Sequence, residues 1–271
     1  MEPAGGAGRS FTIADETIDP GEARAIDIPV SHLATGVPAT LALHVVNGAR
    51  GGPTVFVSAA IHGDEIVGTA IVQKLIARIT PELLSGTVIF APAVNVFGFL
   101  QHSRYLPDRR DLNRSFPGSS KGSLAAQLAN CFLEHVIAPA DLGIDIHSAA
   151  VHRYNLPQVR IAADDPYLVE LAMAFGAPVI VESPLRPGSM RALAHERETP
   201  MLLMEAGEAL RWDRLSIDIG SHGVQLMIDA CIRGRPIGPD ASVELPYSMR
   251  DGESCAPAPG VPGRVSAKRR K

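Results

Sequence analysis

Residues 54–65, TVFVSAAIHGDE, lead from an apolar run directly into two side chains that can bind a metal. The run Thr54 to Ala60 is typical of a buried strand, and the apolar spacing from Ile66 to Ile79 predicts a helix after it. His62 and Glu65 are three positions apart at this junction, so both can face the same side of the first helical turn. One more imidazole would complete the usual protein ligands of a catalytic zinc, which keeps one position open for water.

The composition indicates an ordinary globular enzyme. The chain has 271 residues, of which 46% are apolar and 20% charged, enough for one large domain or for a large and a small one. The net charge of −4 does not favour nucleic acid, and no run approaches the ~20 apolar residues that cross a bilayer. Three distant cysteines suggest no disulfide framework. We therefore expect a cytoplasmic protein with no nucleic-acid or membrane partner, and a homo-oligomer stays open.

Strand-like and helix-like segments alternate along the chain, which predicts an α/β fold with a mixed, largely parallel sheet. Residues 1 to about 20 are expected to be a flexible lead-in or an edge segment. Each of four predicted strands ends next to polar residues: His62 with Glu65, Asn95, His147 and Glu205. Because open α/β sheets bind ligands at the carboxyl ends of their strands, this pattern predicts the site at that edge.

His147 and Glu205 are the strongest single candidates. His147 follows the apolar run Leu142 to Ile146, where a metal ligand and a hydrogen-bonded core histidine are equally good interpretations. Asp145 points to the same side only if the strand is regular, and it can then orient a ligand. Glu205 also follows a buried strand, a costly place for a carboxylate unless it is paired, protonated or solvated in a cleft. A general base beside an activated water meets that condition, whereas Glu208, beyond a glycine, is expected to be exposed.

The polar loop from Gln101 to Lys121 carries candidates for binding an anion. Amide hydrolysis develops negative charge on the carbonyl oxygen, which a fixed guanidinium such as that of Arg104 can stabilise. A second arginine can hold a substrate carboxylate through two hydrogen bonds, and a neighbouring asparagine adds a donor, as in the pair Asn113-Arg114. A single loop arginine is more often part of a surface salt bridge.

Several short strings together resemble the succinylglutamate desuccinylase/aspartoacylase family, which is related to the zinc carboxypeptidases. They span about residues 50 to 235 and read His62-Gly63-Asp64-Glu65, Arg104-Tyr105, Asp111-Leu112-Asn113-Arg114, Asp145-Ile146-His147 and Glu205-Ala206-Gly207. The resemblance implies a three-layer α/β/α carboxypeptidase-like domain with a mixed sheet and one Zn²⁺ per chain. His62, Glu65 and His147 would be the zinc ligands.

The same resemblance implies roles for four more residues. Arg104 would polarise the scissile carbonyl, and Asn113 and Arg114 would bind the free α-carboxylate of an N-acyl amino acid. Glu205 would activate the water and then pass its proton to the leaving amine. Which acyl group and which amino acid are recognised stays open, as do the roles of Asp145, Asn155 and Glu208.

The C-terminal region departs from the family pattern. Residues 1–235 are interpreted as the deacylase domain, and 236–271 as a truncated remnant of the family's small β-rich domain, poorly ordered beyond about Tyr247. Apolar surface that this domain normally covers would then be exposed and favour self-association.

The sequence thus predicts a zinc-dependent deacylase that cleaves an N-acyl amino acid or a related small amide. Three alternatives remain: a zinc carboxypeptidase acting on peptides, a non-catalytic metal-binding relative, and a plain α/β domain with structural His and Glu residues.

Overall fold

A computed structural model describes residues 6–32, 35–163, 165–232 and 247–250. The strands are β1 Phe11–Ile13, β2 Glu16–Ile18, β3 Glu22–His32, β4 Pro38–Asn47, β5 Arg50–Ala59, β6 Ser85–Ala91, β7 Leu142–Ala149, β8 Asn155–Ile161, β9 Val179–Glu182, β10 Met201–Glu208 and β11 Tyr247–Arg250. The α-helices are α1 Val67–Ile76, α2 Val96–Gln101, α3 Leu124–Phe132, α4 Pro166–Phe175, α5 Met190–Glu196 and α6 Arg214–Ile232. A single π-helical turn, Leu133–Ile137, extends α3, and 3₁₀ turns form at Pro81–Leu83 and Leu112–Arg114.

Within the described ranges, nine strands form one mixed sheet in the order β11-β9-β8-β10-β7-β5-β6-β4-β3. Its centre, β6-β5-β7-β10, is entirely parallel. The strands β3 and β4 continue it antiparallel on one side, and β8 runs antiparallel to β10 on the other. This confirms the predicted α/β class and brings the carboxyl ends of the four central strands to one edge.

Helices cover both faces of the sheet, so the central strands are apolar on both sides. On β5, Val55 and Val57 pack into the core cluster that includes residues of α1, α4 and α6. Phe56 points to the opposite face, into the cluster that includes residues of α3 and α5, and its ring meets that of Phe132 edge-on at 5.9 Å. Burial on both faces explains why these strands read as continuous apolar runs rather than alternating ones.

Residues 11–18 of the N-terminal segment form a hairpin, so this part fits the expected edge segment better than the alternative of a flexible lead-in. The strands β1 and β2 pair antiparallel, and Ile13 and Ile18 are buried in the same cluster as Ile26 and Ile28. Two isoleucines within a polar stretch are only a weak sequence signal for an ordered hairpin, because their burial depends on strand β3, which comes later in the chain.

The C-terminal tail is described only in part. Residues 247–250 form β11, which pairs in parallel with β9 at the edge of the sheet. Residues 236–246 and 251–271, on which the rest of the predicted β-domain remnant falls, lie outside the described residues, and the boundary at 235 stays a prediction. No helix within the described ranges is both long and apolar enough to cross a membrane.

Candidate metal centre and active site

Three buried side chains meet at the carboxyl edge of the sheet. His62 and Glu65 lie in the turn between β5 and α1, and His147 lies on β7, the neighbour of β5. Glu65 lies between the imidazoles: its Oε1 is 2.7 Å from His62 Nδ1, and its Oε2 is 2.8 Å from His147 Nδ1. One donor atom from each residue lies within 4.8 Å of the others, which is the grouping that a metal ion needs.

The far nitrogen of each imidazole is held by a carboxylate. His147 Nε2 is 2.7 Å from Asp145 Oδ2, and His62 Nε2 is 3.2 Å from Asp111 Oδ1. When a ring of this kind is neutral and donates its Nε2 proton to the carboxylate, its Nδ1 keeps a lone pair, as in many metal-binding histidines. In that form two imidazole nitrogens and a carboxylate oxygen lie within 4.8 Å of one another, an arrangement that a divalent cation stabilises. The donor set therefore fits a zinc ion.

The electrostatics of this cluster agree with that interpretation. Burial alone would raise the pKa of Glu65, but the two imidazoles lower it below its ordinary value. Burial alone would lower the pKa of His147, but Asp145 and Glu65 raise it well above its ordinary value. Without a cation, negative charge therefore predominates around His147, and metal binding would displace a proton from its ring.

Asp145 takes the position that a regular strand predicts, whereas the contact of Asp111 with His62 was missed. Asp145 lies on β7 two residues before His147, and Ser58 on β5 donates a hydrogen bond of 2.7 Å to its other oxygen. Asp111 is 49 positions from His62 in the chain. In the sequence, Asp111 stands out only as the first residue of the string Asp111-Leu112-Asn113-Arg114, and no local pattern connects it with His62.

Glu205 lies next to the cluster of His62, Glu65 and His147. It stands opposite His147 in the register of β10 and β7. Asn155, at the start of β8, donates a hydrogen bond of 2.7 Å from its Nδ2 to Glu205 Oε2, and Arg160 Nη1 lies 3.9 Å from Oε1. Burial raises the pKa of Glu205 above its ordinary value, while Arg160 and Asn155 oppose the rise. A base with a raised pKa is better matched to neutral pH. The role left open for Asn155 is therefore to hold this carboxylate.

Glu208 is not a rival base in this arrangement. Its carboxylate accepts a hydrogen bond of 2.8 Å from the backbone N–H of His152 and lies 3.1 Å from Arg211 Nε. It is absent from the residues that line the cavity at Glu205. Its role is to tie two surface loops together.

Arg104 reaches the cluster from the loop after α2. Its Nη1 is 3.3 Å from Glu65 Oε1, and its Nη2 is 3.0 Å from Asp111 Oδ2. Asn95, which the sequence placed at the same edge, instead caps α2: its Oδ1 accepts a hydrogen bond from Gly98 N, and its Nδ2 donates to the backbone oxygen of Arg104. Asn95 therefore shapes the loop that carries Arg104 and does not face the cluster.

Asn113 and Arg114 lie at the same cavity. Asn113 is buried, and its Oδ1 accepts a hydrogen bond of 2.8 Å from the backbone N–H of Met190 at the start of α5. Arg114 is exposed. The cavity has a volume of about 340 Å³ and contains all seven residues predicted for the site, namely His62, Glu65, Arg104, Asn113, Arg114, His147 and Glu205. Sequence reasoning missed four arginines that also line it, Arg153, Arg160, Arg186 and Arg191.

Comparison with known proteins shows the family of this chain. The catalytic-domain model of the succinylglutamate desuccinylase/aspartoacylase family matches residues 51–231. An N-alpha-acetyl-L-2,4-diaminobutyric acid deacetylase from Halomonas elongata is 33% identical over 136 residues, which are 48% of this chain and 40% of that protein. The match thus spans less than half of the curated relative.

Two solved structures share the fold over most of their length. A succinylglutamate desuccinylase/aspartoacylase from Rhodobacter sphaeroides is 30% identical with a TM-score of 0.73, over 88% of this chain and 75% of that one. The product-bound ectoine utilization protein EutE (DoeB) from Ruegeria pomeroyi is 25% identical with a TM-score of 0.71, over 84% and 71%. Since the family model covers more than half of the chain, this protein belongs to the succinylglutamate desuccinylase/aspartoacylase family.

Proposed function

We propose that this protein is a zinc-dependent deacylase that hydrolyses the amide bond of an N-acyl amino acid or a related small amide. The observation that carries the proposal is the meeting of His62, Glu65 and His147 with Glu205 in one cavity. The relative from Halomonas elongata is named a deacetylase, which supports the same class of reaction. A cavity of about 340 Å³ is at the small end for a binding site, which favours a single acyl amino acid over a peptide.

His62, Glu65 and His147 would hold one Zn²⁺ per chain. A zinc ion held there would supply Lewis acidity toward water and toward the substrate carbonyl. Asp111 and Asp145 orient the two imidazoles and increase their basicity, so these carboxylates belong to the same functional unit.

Glu205 is the general base and then the general acid. It removes a proton from the attacking water as the new carbon–oxygen bond forms at the substrate carbonyl. It returns that proton to the amide nitrogen as the carbon–nitrogen bond breaks, so the products are a carboxylic acid and a free amine. Its partly buried position and raised pKa suit both transfers near neutral pH.

The loop residues bind the substrate. Arg104 donates hydrogen bonds to the carbonyl oxygen as negative charge develops on it. Arg114 pairs with the α-carboxylate, and the side-chain amide of Asn113, fixed by the backbone of Met190, adds a donor. The cytoplasmic location and the oligomeric state stay predictions.

The test is Glu205→Gln in the zinc-loaded protein, assayed on a panel of N-acetyl, N-succinyl and longer N-acyl amino acids, on N-α-acetyl-L-2,4-diaminobutyrate and on short peptides. We expect kcat to fall by about 10²–10⁴-fold while the zinc content is unchanged. Glu208→Gln, outside the cavity, is the matched control and should keep its activity. Wild-type turnover in Glu205→Gln would refute its role as base. Cleavage of peptides in preference to acyl amino acids would favour a carboxypeptidase, and zinc bound without any turnover would favour a non-catalytic relative.

A further inference from the structure

One buried asparagine connects the loop of Arg104 to the turn that carries His62 and Glu65, here called the ligand turn. Asn95 is 0% exposed. Its backbone N–H donates to the backbone oxygen of Ala60 at 2.9 Å, and its side-chain Nδ2 donates to the backbone oxygen of Arg104 at 3.3 Å. We propose that Asn95 is a positioning residue, which sets where the Arg104 guanidinium lies relative to the ligand turn during catalysis. This inference rests on the proposed deacylase function.

The chain enters the ligand turn through backbone that is tied to Asn95. The N–H groups of Val94 and Asn95 donate to the oxygens of Ala59 and Ala60, each at 2.9 Å. The segments that follow β5 and β6 therefore stay paired beyond the ends of these neighbouring parallel strands. Ala60 is fully buried and has a left-handed conformation with φ +49°, which is uncommon for a residue with a side chain. The direction in which the chain reaches His62 thus depends on this pairing.

The ligand turn also lies directly against α2. A Cβ at Gly63 would overlap backbone atoms of Gly98 and Phe99, and a Cβ at Gly98 would overlap the side chain of Asn95 and the backbone oxygen of Ser103. The side-chain oxygen of Asn95 caps α2 by accepting a hydrogen bond of 2.8 Å from the N–H of Gly98. The two glycines therefore allow the turn, the helix and the asparagine to form one closely packed support for the loop that follows α2.

The side-chain contacts of Arg104 cannot by themselves keep it in place during the reaction, because they are shared with an imidazole. Glu65 Oε1 lies 3.3 Å from Arg104 Nη1 and 2.7 Å from His62 Nδ1. Asp111 contacts Arg104 with one oxygen and His62 with the other. When the guanidinium donates to the substrate carbonyl, it gives up some of these bonds, whereas the backbone bond to Asn95 is kept. A misplacement of about 1 Å at a reacting group can cost about 10²-fold in rate.

Asn95→Ser removes the connection to Arg104 and keeps the helix cap. Serine is a good N-cap residue, but its side chain is one atom shorter and has no amide to reach the Arg104 oxygen. Asn47→Ser is the matched control. Asn47 is also buried, and its Nδ2 also donates to two backbone oxygens, those of Arg9 and Ile18, each at 2.9 Å. It lies at the opposite edge of the sheet, where β4 ends beside the start of β6.

The assay measures kcat and KM of the zinc-loaded variants on the best N-acyl amino acid substrate of the wild type. We expect Asn95→Ser to lower kcat by at least ~10-fold and to change KM by less than ~2-fold, because the bond from Arg104 to the oxyanion forms only in the transition state. Asn47→Ser should keep the wild-type kcat.

A double-mutant cycle separates positioning from a general loss of packing. Arg104→Met should lower kcat by about 10²–10³-fold. Adding Asn95→Ser to Arg104→Met should lower it no further, because Asn95 acts through Arg104. A wild-type kcat in Asn95→Ser, or losses that add in the double variant, would overturn the proposal. Asn95→Asp keeps the shape and the cap but turns an acceptor toward the Arg104 oxygen, so it should show the same loss even if the serine variant does not fold.

If the wild type hydrolyses no compound, the proposed function fails, and the placement of Arg104 is then measured without turnover. The Nε–H of Arg104 donates to Asp111 Oδ2 at 3.3 Å, so its exchange with water, followed by NMR in the metal-free protein, reports whether the guanidinium stays in place. Loss of the signal in Arg104→Met assigns it. We expect exchange to be about 3–10-fold faster in Asn95→Ser, the effect of one hydrogen bond, and unchanged in Asn47→Ser. Equal rates in Asn95→Ser and the wild type would refute the positioning role.

Discussion

Asp145→Asn tests whether the buried carboxylate behind His147 sets the metal affinity. Asp145 is 0% exposed, and its two oxygens bind His147 Nε2 and Ser58 Oγ, each at 2.7 Å. Asparagine has nearly the same shape and keeps an oxygen that can accept from Nε2, so the fold should be retained. The substitution removes the negative charge of the carboxylate. In the wild type that charge increases the basicity of the His147 ring and helps to fix its orientation.

The loss of such a partner typically costs 10–100-fold in metal affinity, or about 1.4–2.7 kcal/mol. We expect Asp145→Asn to weaken zinc binding within that range. Asp111→Asn should weaken it less, because Asp111 is partly exposed, lies 3.2 Å from His62 Nε2 and shares its charge with Arg104. The two variants therefore rank the two carboxylates.

The assay is competition for zinc between the protein and a chromophoric chelator at a fixed pH. Asp218→Asn is the control, since Asp218 is a surface carboxylate paired with Lys74 and Arg214. Circular dichroism of the metal-free variants shows whether each is folded. Wild-type zinc affinity in a folded Asp145→Asn protein would refute the argument, because His147 would then not depend on its carboxylate partner or would not be a ligand.

Three further outcomes follow from the same geometry. Removing metal with a chelator should lower the melting temperature by about 5–10 °C relative to the protein in free zinc at 100 times the Kd. Scanning calorimetry of the metal-free protein, before and after zinc is added back, measures this difference. An unchanged melting temperature would argue against a metal centre. Asn155→Leu removes a hydrogen bond that lowers the pKa of Glu205, so the pKa of Glu205 should rise further in this variant. When the pH is lowered, Glu205 is then protonated, and the activity lost, at a higher pH than in the wild type. The acidic limb of kcat/KM against pH therefore moves upward, and the same limb in both enzymes would contradict this. Gly63→Ala places a Cβ 2.0 Å from the backbone carbon of Gly98 and should destabilise the protein by at least ~1–3 kcal/mol in urea unfolding. Gly6→Ala, with nothing within 4 Å, is its control, and equal stability of the two would show that α2 moves freely.

Features set by neighbouring residues could be predicted from the sequence. The strand and helix on either side of His62 and Glu65 follow from apolar spacing, which reports burial directly along a chain. Parallel strands share a carboxyl edge, so polar residues at three strand ends, His62 with Glu65, His147 and Glu205, could be assigned to one site before any distance was known. The resemblance to the family then implied the roles that spacing alone left open, and all of these residues line one cavity.

Only the tertiary structure decided which remote residues meet. Asp111 contacts His62 across 49 positions and Asn155 contacts Glu205 across 50, because the order of strands in the sheet and the paths of the loops bring them together. Asn95 ends a predicted strand like the site residues, yet it caps α2. Three arginines that line the cavity, Arg160, Arg186 and Arg191, come from β8, from the segment before α5 and from α5, and no periodicity marks them. Contacts of this kind depend on the packing of whole elements, whereas a sequence pattern records only the burial of each element.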